Sequence, residues 1–220
     1  MTRETRPISW ISAARKDFES FPEEAQDICA EALTVAAEGG KSDVAKPMKG
    51  LGSGVFEIAL RVRGNAFRVV YGVQIGDAIW VVHAFHKKST QGIKTPKHEI
   101  DLVKAQIEGG TAMKRKEDIE VIHGSGNVFR DLKRPDADVK QLKGILAAEI
   151  IKMLNRDRLT VRAAQTRTGI AAADFSRIRN ADLARFTVDR LMTIINRLGS
   201  SVEVAVKVRR STLRSEHATA

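Results

Sequence analysis

The feature that most constrains the fold is the segment 159–180, LTVRAAQTRTGIAAADFSRIRN, which has the pattern of two short helices on either side of Gly169. Thr160 is placed to cap the first helix, and Gly169 provides a turn in which a side chain would be strained. Phe175 and Ile178 give the second helix, 171–180, a buried side. The segment therefore predicts a helix-turn-helix.

The polar side chains of the second predicted helix are left facing outward. In this arrangement a recognition helix enters the major groove of DNA, where arginine pairs with guanine and asparagine with adenine. The alanines at 171–173 offer only methyl contacts, and an ordinary helical hairpin is the alternative. The residues that we expect to contact DNA are Thr160, Arg162, Asp174, Ser176, Arg177, Arg179 and Asn180.

Positive charge is concentrated in the half of the chain that contains this motif. The formal net charge is +10. Residues 1–112 hold 15 Lys and Arg against 14 Asp and Glu, a net of +1, whereas residues 113–220 hold 22 against 13, a net of +9. A basic half fits phosphate binding. A charge-asymmetric, solvated surface is the alternative.

Several classes of protein are excluded by the remaining bulk features. Cys29 is the only cysteine, so no intrachain disulfide can form, and the five histidines lack metal-ligand spacing. We expect no metal and no other cofactor. No apolar run approaches the roughly 18–20 residues of a membrane span, and the N-terminus lacks the apolar core of a signal peptide. We expect a soluble, cytoplasmic protein with no membrane partner.

Residues 1–110 have the pattern of a small α+β domain. The predicted elements, in order, are a strand at 8–11, helices at 13–20 and 22–37, a loop at 41–54, strands at 55–62, 66–75 and 78–85, and a helix at 96–109. Turn residues between the last three strands predict an antiparallel meander. Alternation in the first of them puts Ile58, Leu60 and Val62 on one face and Glu57 and Arg61 on the other.

Residues 139–209 have the pattern of an all-α helix-turn-helix domain with a C-terminal β-strand. One helix is predicted at 139–154, with Leu142 and Leu146 among its inward residues, and another at 187–198, capped by Thr187. The strand at 201–208 is isolated, and its simplest partner is its copy in a second subunit.

The stretches around this domain are less regular. Residues 111–118 form a predicted linker, and Met113 begins a segment that would make a complete small protein. We treat 119–138 as a separate segment and 210–220 as a disordered tail.

The first half resembles the phage-derived branch of the RelE/HigB toxin superfamily. The resemblance is carried by VFEIALR at 55–61, FRVVY at 67–71 and VHAFHKKSTQGIKTP at 82–96, and it covers nearly all of residues 7–108. It implies a RelE-like fold of two helices, an antiparallel sheet and a C-terminal helix. It also implies a ribosome-dependent mRNA endonuclease.

The second half resembles the partner antitoxins of that branch, which are HigA-like proteins of the XRE class. SGNVFRDLKRPDAD at 125–138, the helix-turn-helix and FTVDRLMTIINRL at 186–198 carry this resemblance. It implies an antitoxin that binds the toxin and represses its own promoter as a homodimer on operator DNA. Together the two resemblances indicate a toxin joined to its antitoxin, by a natural fusion or an engineered tether.

Toxins of this kind cleave RNA without a metal, by attack of the 2′-hydroxyl on the adjacent phosphate. Side chains must then move protons and stabilise the phosphorane. Arginine holds phosphate as a planar fork, and neighbours on a strand face opposite sides, so at most two of the residues 86–88 share one site. The candidate catalytic residues are Arg61, Arg68, Tyr71, His86, Lys87 and Lys88. Each has a structural alternative, such as an ion pair for Arg61 and a place in the core for Tyr71.

The segment after the join is expected to contact the toxin domain, within the same chain or in a partner chain. Tethering would raise the effective concentration of the two halves to about the millimolar range. The alternative is that the segment only covers the helical domain. The expected contact residues are Val121, Ile122, Val128, Phe129 and Leu132.

The preferred interpretation is a toxin–antitoxin fusion. A latent mRNA endonuclease that acts at the ribosome would be neutralised by a linked antitoxin that binds operator DNA and autorepresses transcription. The alternative is a transcriptional regulator whose RelE-like domain is catalytically inactive and serves sensing or oligomerisation.

Overall fold

The computed structural model describes most of both predicted regions. The residues that it describes are 5–48, 51, 53–75, 77–88 and 120–205, with the backbone alone for 74, 75, 87 and 88. The predicted helix at 96–109, the linker at 111–118 and the tail at 210–220 lie outside the described residues.

The described residues confirm a mixed α+β fold with a sheet-rich N-terminal region and a helical C-terminal region. The strands are β1 (Ile8–Ile11), β2 (Ala45–Pro47), β3 (Val55–Val62), β4 (Asn65–Ile75), β5 (Ala78–Lys88) and β6 (Val121–Ile122). The helices are α1 (Ser12–Glu19), α2 (Glu23–Ala37), α3 (Val128–Asp131), α4 (Ala137–Arg156), α5 (Val161–Thr168), α6 (Ala172–Arg179) and α7 (Val188–Arg197).

The six strands form one sheet in the order β2-β3-β4-β5-β1-β6. β1 lies parallel to β5, and the other neighbouring strands are antiparallel. The predicted meander is confirmed, with Ile58, Leu60 and Val62 buried on its inner face. Arg63 and Gly64 have φ of 49° and 80°, as the two central residues of a tight hairpin between β3 and β4 require.

The sixth strand comes from beyond the predicted linker. Val121 and Ile122 pair with Ile11 and Trp10 at the edge of the sheet. The N–H of Ser12 also donates to the carbonyl of Glu120 at 2.9 Å. The chain after residue 119 therefore completes the sheet of the N-terminal region.

The helical region forms around the long helix α4. The side chains of Thr160 and Thr187 accept hydrogen bonds from Ala163 and Arg190, so each caps the start of its helix as predicted. Phe175 and Ile178 of α6 are buried beside residues of α4 and α7. The resulting core is separate from the core under the sheet.

Helix α2 lies between the sheet and α4. Leu33 belongs to the core under the sheet, whereas Val35 belongs to the core of the helical region. Where α2 meets α4, a Cβ added at Gly144 would lie 2.8 Å from Cγ2 of Thr34. The two helices approach closely because glycine stands at this point.

Three expectations about the fold differ from the structure. Strand β2 falls within a stretch expected to be a loop, and its three residues pair with β3. Leu142 was expected to face inward but is 39% exposed. Residues 201–205 of the predicted final strand are assigned to no strand, and residues 206–208 lie outside the described residues.

The helix crossing at Gly144 generates the first prediction. Gly144→Ala is expected to lower the free energy of unfolding by about 1 kcal/mol or more, because overpacking outweighs the gain in helix propensity. Urea unfolding of the full chain would measure this. Compared with Thr34→Ala alone, the double variant Thr34→Ala/Gly144→Ala should show a smaller loss, since Cγ2 at 2.8 Å is removed while Cβ of residue 34 stays at 3.0 Å. An undiminished loss would contradict a clash with Cγ2.

Candidate functional site

The helix-turn-helix is built by local hydrogen bonds. Gly169 ends α5 with φ of 72°, in the left-handed conformation expected of the turn. Ala171 offers no side-chain cap to α6; instead Oε1 of Gln165 accepts a hydrogen bond from the N–H of Ala172 at 2.9 Å. Sequence reasoning missed Gln165. The signal was the absence of a capping residue before α6, which requires an acceptor from elsewhere.

The outer surface of α6 consists mainly of small side chains. Ala173 and Ser176 are exposed, together with Ala171 just before the helix. Arg177 is half-buried, and its guanidinium lies 3.7 Å from Asp174 and 3.9 Å from Asp182. This surface can approach a groove closely and presents one arginine beside two carboxylates.

Several of the predicted DNA contacts have partners within the protein. The Thr160 hydroxyl caps α5, and Asp174 pairs with Arg190 at 3.1 Å. The amide of Asn180 donates to the carbonyl of Ser176 at 2.8 Å. Arg162 is exposed at the start of α5.

Arg179 differs most from its expected outward position. Its side chain is only 17% exposed. The guanidinium donates to Oδ1 of Asn155 and to the carbonyl of Leu159, both at 3.1 Å, and lies 3.9 Å from the carboxylate of Asp43. It therefore ties the end of α6 to α4 and to the N-terminal region.

Two of the candidate catalytic residues share one face of the sheet. Arg68 pairs with Ala59, so its side chain lies on the same face as Glu57 and Arg61. Arg61 is exposed, whereas Arg68 is buried. The guanidinium of Arg68 lies 3.6 Å from Glu57 and donates to the carbonyl of Phe67 at 3.2 Å.

Tyr71 and His86 lie on the opposite face of the sheet from Arg68. Tyr71 is three residues further along β4 and is buried against Phe56, with ring centroids 5.6 Å apart. This burial raises the pKa of the Tyr71 hydroxyl above its usual range. His86 pairs with Phe67 and is exposed. The structure thus brings Arg61 and Arg68 together and separates them from Tyr71 and His86.

Lys87 and Lys88 are the last residues of β5. Their backbones pair with Ala66 and Asn65, the first two residues of β4. Their side chains lie outside the described part of the structure.

Three of the five apolar residues expected to contact the toxin domain pack in the N-terminal core, whereas Val121 and Ile122 pair with β1 through their backbones and the Ile122 side chain is 38% exposed. Val128 and Phe129 are buried in the same cluster as Trp10 and Phe18, and Leu132 packs against it. Arg15 of α1 donates to the carbonyl of Asp131 at 2.6 Å. We call the contact between residues 5–88 and residues 120–205 the seam.

Polar groups hold the seam along α2. Asp27 accepts from Nζ of Lys140 at 2.7 Å and lies 3.3 Å from Arg134. Further along α2, the buried Oε2 of Glu31 accepts from the N–H of Leu183 at 3.0 Å. Glu31 was missed from the sequence, although it is the one charged residue in the run ICAEALTVAA at 28–37, which was a visible signal.

Burial changes the acidity of Glu31. Desolvation raises the pKa of its carboxyl from the usual 4.5 to about 8, against the opposing effects of the Leu183 N–H and the positive charge of Lys143. Burial at the seam therefore favours the protonated, neutral carboxyl of Glu31 over the carboxylate.

The fold and seam define a chain of two joined parts, an α+β domain and a helix-turn-helix domain. Residues 16–108 match the family model described as "Phage derived protein Gp49-like", and residues 128–207 match a model described as "Helix-turn-helix domain". The chain therefore joins a Gp49-like toxin domain of RelE/HigB type to a helix-turn-helix domain, in the arrangement of a toxin fused to its antitoxin. Neither the curated proteins nor the solved structures gave a significant match.

The described residues contain no helix that is long and apolar enough to cross a membrane. They also contain no group of three or more His, Cys, Asp or Glu side chains arranged to hold a metal ion.

The buried carboxyl of Glu31 generates a pH prediction. Because its pKa is raised in the folded state, its contribution to stability is fully present below about pH 4.5 and is lost as pH rises through about 8. Glu31→Gln does not titrate and should remove this part of the pH dependence. Urea unfolding of both chains between pH 4.5 and 9 would measure it; parallel stability curves would contradict a raised pKa for Glu31.

Proposed function

We propose that this chain is a toxin–antitoxin fusion in which a latent mRNA endonuclease is neutralised by the linked helix-turn-helix domain. The observation that carries the proposal is the continuous core across the seam, where Val128 and Phe129 are buried with N-terminal residues. A loose tether between independent domains would not bury these side chains together.

The proposed DNA partner fits the exposed surface of the helix-turn-helix. The small residues Ala173 and Ser176 allow the recognition helix to approach base edges, and Arg177 is the arginine best placed among the predicted contacts to reach guanine. Arg162 would contact phosphate. We further propose that the chain binds an operator as a homodimer, with recognition helices about 34 Å apart, and represses its own promoter.

The proposed RNA-cleaving surface is the sheet face that carries Arg61 and Arg68. Arg61 is exposed, and the described C-terminal residues instead contact α2, the β1 edge and, through Asp131, Arg15 of α1. Arg61 would hold the phosphate, and Arg68 would stabilise the developing charge after its ion pair with Glu57 opens. Lys87 and Lys88 remain candidates for the same reaction, which would take place on mRNA at the ribosome.

A second candidate function is a regulator with an inactive Gp49-like domain. It is favoured by Arg68, whose burial and ion pair with Glu57 resemble those of a structural residue. In this case DNA binding is the main activity, and the N-terminal domain serves sensing or oligomerisation.

DNA binding is tested by selecting duplexes from a random-sequence library with the full chain. Arg177→Ala is expected to weaken binding of the selected duplex by about tenfold or more, as for the loss of a base contact worth about 1–3 kcal/mol. Fluorescence anisotropy at fixed salt would measure the affinity. The control is Arg130→Ala. Arg130 is an exposed arginine of α3, close to the start of the 20-residue helix α4, whereas the helix-turn-helix follows the end of α4. Equal losses in both variants would contradict a specific role for Arg177.

RNA cleavage is tested in a cell-free translation reaction. Residues 1–112 are expected to cleave mRNA, whereas the full chain should not. In the fragment, Arg61→Ala should slow cleavage by on the order of 100-fold if Arg61 stabilises the transition state. Arg63→Ala is the matched control, because Arg63 is an exposed neighbour that pairs with Glu24 of α2 at 3.8 Å.

The result that contradicts cleavage is intact mRNA with a fragment whose circular dichroism shows a folded domain. This result would support the regulator. Because the fragment lacks residues that complete the N-terminal core, the folding measurement is a required part of the test.

A further inference from the structure

The segment 179–183, directly after the recognition helix, is held by the N-terminal region. The N–H of Asp43 donates to the carbonyl of Arg179 at 2.6 Å, and Oε2 of Glu31 accepts from the N–H of Leu183 at 3.0 Å. Ala181, between these bonds, is fully buried in the core under the sheet. Three independent contacts therefore fix this segment to the other half of the chain.

The local backbone needs such support. Ala181 has φ of 55°, a left-handed conformation that costs a residue with a side chain about 1 kcal/mol or more and persists only when its surroundings hold it. The carbonyl of Leu183 accepts from Nζ of Lys143 at 2.9 Å in a buried site. Because Glu31 accepts a hydrogen bond from the N–H of Leu183, the N–H and the carbonyl of Leu183 are both hydrogen-bonded within the protein and not to water.

We propose that Glu31 and the backbone N–H of Asp43 are positioning groups of the DNA-binding unit. They set the direction in which the chain leaves α6 and so fix the recognition helix on the body of the protein. DNA affinity then depends on these two contacts with residues 179–183, and by thermodynamic reciprocity bound DNA makes the two contacts harder to break. This inference rests on the DNA binding proposed above.

The central test compares two substitutions at Glu31 in the full chain. Glu31→Leu has similar volume but leaves the Leu183 N–H without an acceptor, whereas Glu31→Gln retains an acceptor and is a fair substitute for a largely protonated carboxyl. Binding of the duplex selected by the original chain, measured by fluorescence anisotropy at fixed salt, should weaken about tenfold in Glu31→Leu, as expected for an unsatisfied buried donor. It should stay within about twofold in Glu31→Gln.

Asp27→Asn is the matched control for general weakening of the seam. Asp27 lies on the same helix, four residues before Glu31, and pairs with Arg134 and Lys140 instead of contacting residues 179–183. Its substitution should leave the DNA affinity within about twofold. Equal weakening by Asp27→Asn and Glu31→Leu, or unchanged binding by Glu31→Leu, would overturn the proposal.

Hydrogen exchange of the unsubstituted chain provides a second test that does not depend on the folding of a variant. Adding the selected duplex should slow exchange at the amides of Asp43 and Leu183, although Leu183 is already buried in the free protein. Unchanged exchange at both amides would overturn the proposed coupling. If the original chain binds no duplex at all, the proposed DNA binding itself fails, and this outcome is distinct from the others.

Discussion

The packing of α2 between the sheet and α4 is the interaction on which the rest of the structure depends. A helix that is apolar around most of its circumference must be covered on more than one side. In α2 the sheet covers the side that contains Leu33, and α4 covers the side that contains Thr34 and Val35. Without α4, the second side of α2 and the carboxyl of Glu31 would face water. The helical region therefore completes the burial of α2, the helix that covers the sheet.

Much of the fold could be predicted because its signals are local. Alternation identified β3, glycine identified the turn at Gly169, and capping threonines identified the starts of α5 and α7. The errors arose where the environment comes from another part of the chain. Leu142 follows the helical period of α4 but is exposed, because α2 and α7 occupy other sides of that helix. Strand β2 has three residues, too few for a periodic signal.

The candidate sites were harder to predict than the elements that carry them. Periodicity gives the face on which a side chain lies, but it does not show which groups from elsewhere meet it there. Arg179 follows the pattern of an exposed recognition residue, yet Asn155 and Asp43 engage it. Arg68 lies on the same face of the sheet as Arg61, yet it is buried beside Glu57. Long-range polar pairs of this kind leave no spacing signal in one sequence.

The position of the seam limits how neutralisation can work under the proposed function. The described helical region is attached to α1, α2 and the β1 edge, and Arg61 on the other face of the sheet stays exposed. A block at Arg61 by these residues is therefore excluded. Under the proposed function, neutralisation would instead depend on the bulk that these residues add beside α1, α2 and the β1 edge. Because the same seam also fixes the end of the recognition helix, opening it would release the toxin domain and weaken DNA binding in a single step.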